Sequence, residues 1–214
     1  MGSNPTRPTM FSLYGLFIGI AIVIFIDYFQ KHNKTIPKKK ENLFLFLLVF
    51  LSFLGARIYF VLGQLPYFLA NPNQILNTRQ GGLGIFGGII TAILVIYFFT
   101  GKKFLKLTDS FITILPFCLS IGRIGNIINH EIYPVCIYES ILDFILFLIL
   151  LITKKHRTAT FLIGYGLIRF ILEYFRADAL PFYLGRVFSL FGIVLGIILV
   201  NDLHLSRRQS RKKS

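Results

Sequence analysis

The chain has 214 residues and a formal net charge of +14; 55% of its residues are apolar, 15% are charged, and mean hydropathy is +0.70. A soluble domain carries about a quarter charged residues. This chain therefore lacks the polar surface to cover itself in water, and the same figures exclude disorder. A bilayer is the solvent that fits.

A helix needs about 20 apolar residues to cross the hydrocarbon. Seven runs qualify, and their continuity favours helices over the alternating strands of a barrel. The first, 11–29, carries Tyr14 and is followed by Lys31, Lys34, Lys38, Lys39 and Lys40. It has no basic leader or small-residue cleavage site, so it reads as a true span and not a secretory signal. The second, 43–62, contains Arg57, and Arg79 follows in the next loop. The third, 82–99, opens on GGLGIFGG at 81–88, with five glycines in eight positions. Small residues there permit close helix packing, and they equally leave room for a lipid.

Lys102, Lys103 and Lys106 precede the fourth run, 108–124, which Asp109, Pro116 and Ser120 interrupt. Its end enters GRIGNIINHEIYP, residues 122–134. Arg123, Asn126, Asn129, His130 and Glu131 crowd this segment, and Gly122 and Gly125 allow close backbone approach. The asparagines offer donors for phosphate or glycerol oxygens. The fifth run is 135–152, followed by Lys154, Lys155 and Arg157. The sixth, 159–175, contains GYGLIRFILEYFR, in which Tyr165, Arg169, Glu173 and Arg176 are spaced four, four and three. That spacing places them on one helix face, with Glu173 able to orient Arg169 or Arg176. The seventh, 183–200, carries Arg186 and leads into a basic tail, 201–214.

Lysines and arginines therefore gather after spans one, three, five and seven, the tail supplying Arg207, Arg208, Arg211, Lys212 and Lys213. The positive-inside rule makes that side cytoplasmic. The expectation is an all-α, polytopic membrane protein of about seven transmembrane helices, N-terminus outside and C-terminus cytoplasmic. Residues 1–214 read as a single integral-membrane domain without an extramembrane head. The positive charge is then a topology signal with some attraction to anionic membrane lipids, and not a nucleic-acid footprint.

The remaining basic residues, Arg7, Arg57, Arg79, Arg123, Arg169, Arg176 and Arg186, are all arginine. Arginine within hydrocarbon is costly and is usually paired or functional. Its planar fork grips phosphate bidentately, which an ammonium cannot do. A group of arginines at one depth of the outer leaflet suits an anionic lipid head group. The plainer alternative is pairing with Glu131, Glu139 and Glu173 together with snorkelling to the interface. Cys118 and Cys136 lack CxxC spacing, and neither GxxxxGK[ST] nor HExxH occurs. No metal, nucleotide or other cofactor is expected.

Taken together, these stretches resemble the bacterial prolipoprotein diacylglyceryl transferase family. The resemblance is carried by Tyr14-Gly15, GARIYF at 55–60, GGLGIFGG, GRIGNIINHE, IYE at 137–139, GYGLIRFILEYFR and GRVFSL at 185–190. It implies transfer of the diacylglyceryl group of phosphatidylglycerol to the lipobox cysteine thiol of a prolipoprotein signal peptide, with glycerol phosphate released. It implies a bacterial cytoplasmic (inner) membrane location, with the site facing the outer leaflet. Arg123 and Arg169 correspond to the family's essential arginines, and Asn126, Glu131, Tyr165 and Glu173 to functional positions. The expected substrate-binding set is Arg123, Asn126, Asn129, Glu131, Tyr14, Tyr165, Glu173, Arg176 and Arg57.

The chain departs from the family pattern in three places. Phe86 stands where many members carry a histidine proposed to deprotonate the thiol, Pro134 replaces a glycine, and the loop after span four is short. Topology puts His32, His156 and His204 in the cytoplasm, so His130 is the outer-side imidazole and the candidate base. The alternative function is a catalytically inactive or repurposed paralogue that binds anionic phospholipid. A channel or transporter is disfavoured, because the arginines are spread over several spans and no internal repeat is evident.

Overall fold

The computed structural model describes residues 13–77, 84–128, 134–175 and 184–212. Everything regular in them is helical: α1 (Leu13–His32), α2 (Lys38–Gly63), α3 (Leu65–Ala70), α4 (Ile85–Thr100), α5 (Phe104–Phe111), α6 (Leu115–Ile128), α7 (Val135–Ile152), α8 (Arg157–Leu172) and α9 (Leu184–Lys212). Short 3-10 turns cover Pro72–Gln74, Gly101–Lys103 and Glu173–Phe175. Among the described residues, five stretches are long and apolar enough to cross a membrane: Gly15–His32, Lys38–Gly63, Phe86–Phe111, Val135–Ile152 and Arg157–Phe175. Leu115–Ile128 and Gly185–Asn201 are apolar but shorter. Val23, Leu62, Phe98, Ile152 and Phe191 point outward, as lipid-facing side chains do.

The fourth run, expected as one helix over 108–124, is instead broken into α5 and α6 by a turn at 112–114. Pro116 is the cause. It has no N–H to return to the carbonyl four residues back, and its ring crowds that carbonyl.

The helices form two compact units, residues 1–32 with 108–214, and residues 33–107. In the unit 33–107, α2 and α4 pack together through glycine. A Cβ on Gly87 would strike the Gly55 carbonyl, one on Gly55 would lie 2.8 Å from the Gly87 carbonyl, and one on Gly88 would lie 3.3 Å from that of Ser52. Gly87 and Gly88 of the third-span motif thus serve backbone contact, whereas a Cβ on Gly84 would meet the Tyr59 ring. Glu41, near the start of α2, is buried and fully engaged. Its Oε1 accepts from Asn33 Nδ2 at 2.8 Å and its Oε2 pairs with Lys38 Nζ at 2.8 Å. Asn33 Oδ1 in turn accepts the Thr35 and Ile36 N–H groups, each at 2.9 Å, which fixes the tight entry to α2.

In the other unit, α1 packs on α6, α6 on α7, α7 on α8 and α8 on α9. Its apolar centre is Ile112, Leu146, Leu150 and Phe161, with Leu119, Tyr165 and Ile168 against them. Polar clamps set the helix order. Asp109 Oδ1 accepts from the N–H and hydroxyl of Thr158, capping the first turn of α8. Ser140 donates to the Ser120 carbonyl at 3.1 Å, tying α7 to α6. Along α8 and α9, a Cβ on Gly166 would lie 2.9 Å from the Ser189 carbonyl, and one on Gly196 2.9 Å from that of Ala159. Glycine therefore lets these two backbones touch.

Candidate functional site

The unit containing α6 to α9 holds a chain of alternating charges. Arg123 projects from α6, Glu139 from α7, Arg169 from α8, and Glu173 from the 3-10 turn that ends α8. Arg123 Nε lies 2.9 Å from Glu139 Oε2. Glu139 Oε1 accepts from Arg169 Nη1 at 2.7 Å, and Arg169 Nη2 donates to Glu173 Oε2 at 2.7 Å. Glu139 and Glu173 are 1% and 4% exposed, so both carboxylates are out of solvent. A buried carboxylate is tolerated only when paired and hydrogen-bonded, and here each is held by a guanidinium.

The two arginines are used differently. Arg169 spends both terminal nitrogens on carboxylates. Arg123 is anchored through Nε, and among the described residues its Nη1 and Nη2 have no hydrogen-bond or ion-pair partner. An arginine fixed by its inner nitrogen with its outer pair open presents a planar bidentate donor to an anion. Its side chain is 19% exposed, enough to be reached.

Asn126 lies one turn beyond Arg123 on α6 and is buried, as are Gly122 and Gly125. Tyr165 stacks on Phe161 with ring centroids 5.4 Å apart, and its phenol sits in the field of Arg169, Asp143, Arg123 and Glu139. The expected pairing of Glu173 with Arg169 is present. Asn129, His130, Glu131 and Arg176 lie outside the described residues, as do Arg7 and Arg79; for Tyr14 the helix position is described and the side chain is not.

Sequence reasoning missed one group at the heart of the cluster. Asp143 is 2% exposed on α7, its Oδ1 has no hydrogen-bond partner among the described residues, and Arg123, Glu139 and Arg169 act on its charge. The signal was available: an acidic residue inside an apolar run, four after Glu139, shares its face. In the sequence Glu139 is a possible counter-ion and the end of the IYE stretch; in the structure it bridges both arginines.

Arg57 belongs to the unit 33–107 and is engaged there. Its Nε donates to the Ile75 carbonyl at 2.7 Å, and its Nη2 to those of Gln74 at 2.6 Å and Asn77 at 3.0 Å. Its guanidinium lies over Phe68 and Phe60, at 5.4 and 5.7 Å from the ring centroids. The geometry makes Arg57 the organiser of the segment after α3. Arg57→Lys is expected to loosen residues 71–77, because one ammonium cannot reproduce a fork that serves three carbonyls. Limited proteolysis reads this as faster cleavage in that segment; unchanged cleavage would refute the role. Phe86 is half-buried with its ring 6.2 Å from that of Tyr59.

A helical, apolar chain with paired arginines and carboxylates buried among its helices is an integral membrane protein, and among the described residues Arg123 keeps Nη1 and Nη2 open. Comparison with known proteins gives the family. The family model for prolipoprotein diacylglyceryl transferase matches residues 6–201. Curated relatives carrying the name phosphatidylglycerol–prolipoprotein diacylglyceryl transferase include one from Finegoldia magna, 33% identical over 87% of this chain and 88% of the relative. Others are from Clostridioides difficile, 31% identical over 94% and 93%, and Clostridium novyi, 32% identical over 98% and 100%. The chain belongs to the prolipoprotein diacylglyceryl transferase family.

Proposed function

We propose that the protein transfers the diacylglyceryl group of phosphatidylglycerol to the lipobox cysteine of prolipoproteins. The observation that carries this is Arg123, anchored by Glu139 at Nε with Nη1 and Nη2 open among the described residues. In this reading Nη1 and Nη2 hold the phosphate of the lipid. The substrate thiol's sulfur forms a C–S bond to the glyceryl carbon that bears the phosphate ester. The C–O bond to phosphate breaks, and its electron pair leaves on glycerol phosphate. Arg123 stabilises that developing charge, and Arg169 adds to the field while holding Glu139 and Glu173 in place. The thiol reacts as thiolate; its proton passes to His130 or to the leaving phosphate.

Asn126, Asn129, Glu131, Tyr14, Tyr165, Glu173 and Arg176 complete the proposed binding set. The basic connections and tail support an N-terminus outside, a C-terminus in the cytoplasm, and a site facing the outer leaflet of the bacterial cytoplasmic membrane. The test uses detergent-solubilised protein, phosphatidylglycerol and a lipobox peptide, with the peptide weighed by mass spectrometry. A diacylglyceryl mass gain establishes the transferase. Lipid binding without any mass gain would overturn it in favour of an inactive phospholipid-binding paralogue.

A further inference from the structure

The first turn of α9 meets the charged chain at one point. Gly185 is buried there, and a Cβ built on it would collide with Oε1 of Glu173 and would also strike its Cδ. The other oxygen of that carboxylate, Oε2, holds Arg169 Nη2 at 2.7 Å. Next to this contact, the Arg186 guanidinium lies 5.0 Å from the centroid of the Tyr174 ring, so two consecutive residues of α9 grip two consecutive residues of the turn that ends α8. Behind them, the backbones of α8 and α9 touch at Gly166 and Gly196, so the turn cannot yield by moving α9 away.

We infer that Gly185 is a positioning residue of the transfer reaction: its missing side chain is the space in which the Glu173 carboxylate lies while it orients Arg169. The inference rests on the transferase reading above. Its physical content is a choice between two ways of fitting one added methyl group. The obstacle to a Cβ is the end of a side chain and not backbone, so the fold can accept alanine by displacing the carboxylate. That carboxylate is 4% exposed and clamped by Arg169, so displacing it moves the arginine. The added methyl therefore costs function more than stability.

The experiment is Gly185→Ala in two backgrounds, wild type and Glu173→Asp, assayed by peptide lipidation and by thermal unfolding in detergent. In the wild-type background kcat/KM is expected to fall roughly ten- to a hundredfold, the loss appearing against phosphatidylglycerol and not the lipobox peptide, as for a charged group misplaced by a fraction of an ångström. The unfolding temperature moves by less than about 2 °C. In the Glu173→Asp background the acid is one methylene shorter, which withdraws from residue 185 the terminal oxygen that a Cβ would meet first. There the same substitution changes kcat/KM by less than about twofold, the non-additivity expected of groups in contact. Equal losses in both backgrounds, or no loss in either, overturn the inference and leave the transferase reading standing. A wild-type protein without lipidation activity overturns both. If Gly185→Ala alone fails to fold while the double variant folds, steric contact at Glu173 is supported; if neither folds, Gly185 serves helix packing alone and the inference falls.

Discussion

Glu139→Gln is expected to be the most damaging single change in the protein. The carboxylate is 1% exposed and is shared by Arg123 Nε and Arg169 Nη1 at 2.9 and 2.7 Å. A neutral amide keeps the size and removes the charge, leaving two guanidiniums facing each other inside an apolar bundle. Removing one partner of a buried ion pair costs about 3–5 kcal/mol. For a chain of this size that is a fall in unfolding temperature on the order of 10 °C. Activity falls further than stability, because Arg123 loses its anchor. Glu139→Asp keeps the charge with a shorter reach, so it recovers part of the stability and little of the activity. Thermal unfolding in detergent beside the lipidation assay separates the two. If Glu139→Gln unfolds like wild type, the bridge is not a stabilising element.

Arg123→Lys makes the complementary case, in which function is lost and the fold is kept. Lysine retains the charge, yet a single ammonium cannot pair with Glu139 and offer two further donors in one plane. Removing a preorganised donor from developing negative charge costs about a hundred- to a thousandfold in kcat. The expected result is a loss of that order in peptide lipidation with an unfolding temperature close to wild type. Arg123→Ala falls at least as far in activity and also removes one of the two guanidiniums that hold Glu139. Retention of more than about a tenth of wild-type kcat by Arg123→Lys would move phosphate recognition to another residue.

What the sequence discloses and what it withholds follow from the range of the forces involved. Apolar runs and basic connections are local, so the helical class and the positions of the helices are readable from them. The same holds for the stripe on α8, because Arg169 and Glu173 are neighbours along one helix. The bridge through Glu139 is not local. It joins residues 16 and 30 positions apart in sequence, on three helices, and only packing decides that one carboxylate serves two arginines. Arg57 shows the reverse. A lone arginine in an apolar run suggests a ligand, yet its donors meet carbonyls of a segment whose path could not be foreseen. The break at 112–114 was legible in Pro116, but a hydropathy run averages over a missing N–H. Asn129, His130, Glu131 and Arg176 stay on the sequence argument alone, so the identity of the base is a proposal.

The glycine contacts between paired helices bear on how the protein lives in membranes of differing thickness. A solitary span answers hydrophobic mismatch by tilting, and the cost is a fraction of a kcal/mol per ångström. Helices whose backbones touch, as α8 and α9 do at Gly166 and Gly196, cannot tilt one without the other. Mismatch is then absorbed by the pair moving together, and by long side chains reaching for the interface, as Lys154 and Lys155 can do just before α8. The contact of Glu173, on the turn that ends α8, with Gly185 of α9 is thereby insulated from the lipid composition of the host, which lets one charge arrangement work in bilayers that growth temperature or acyl-chain length has thinned or thickened.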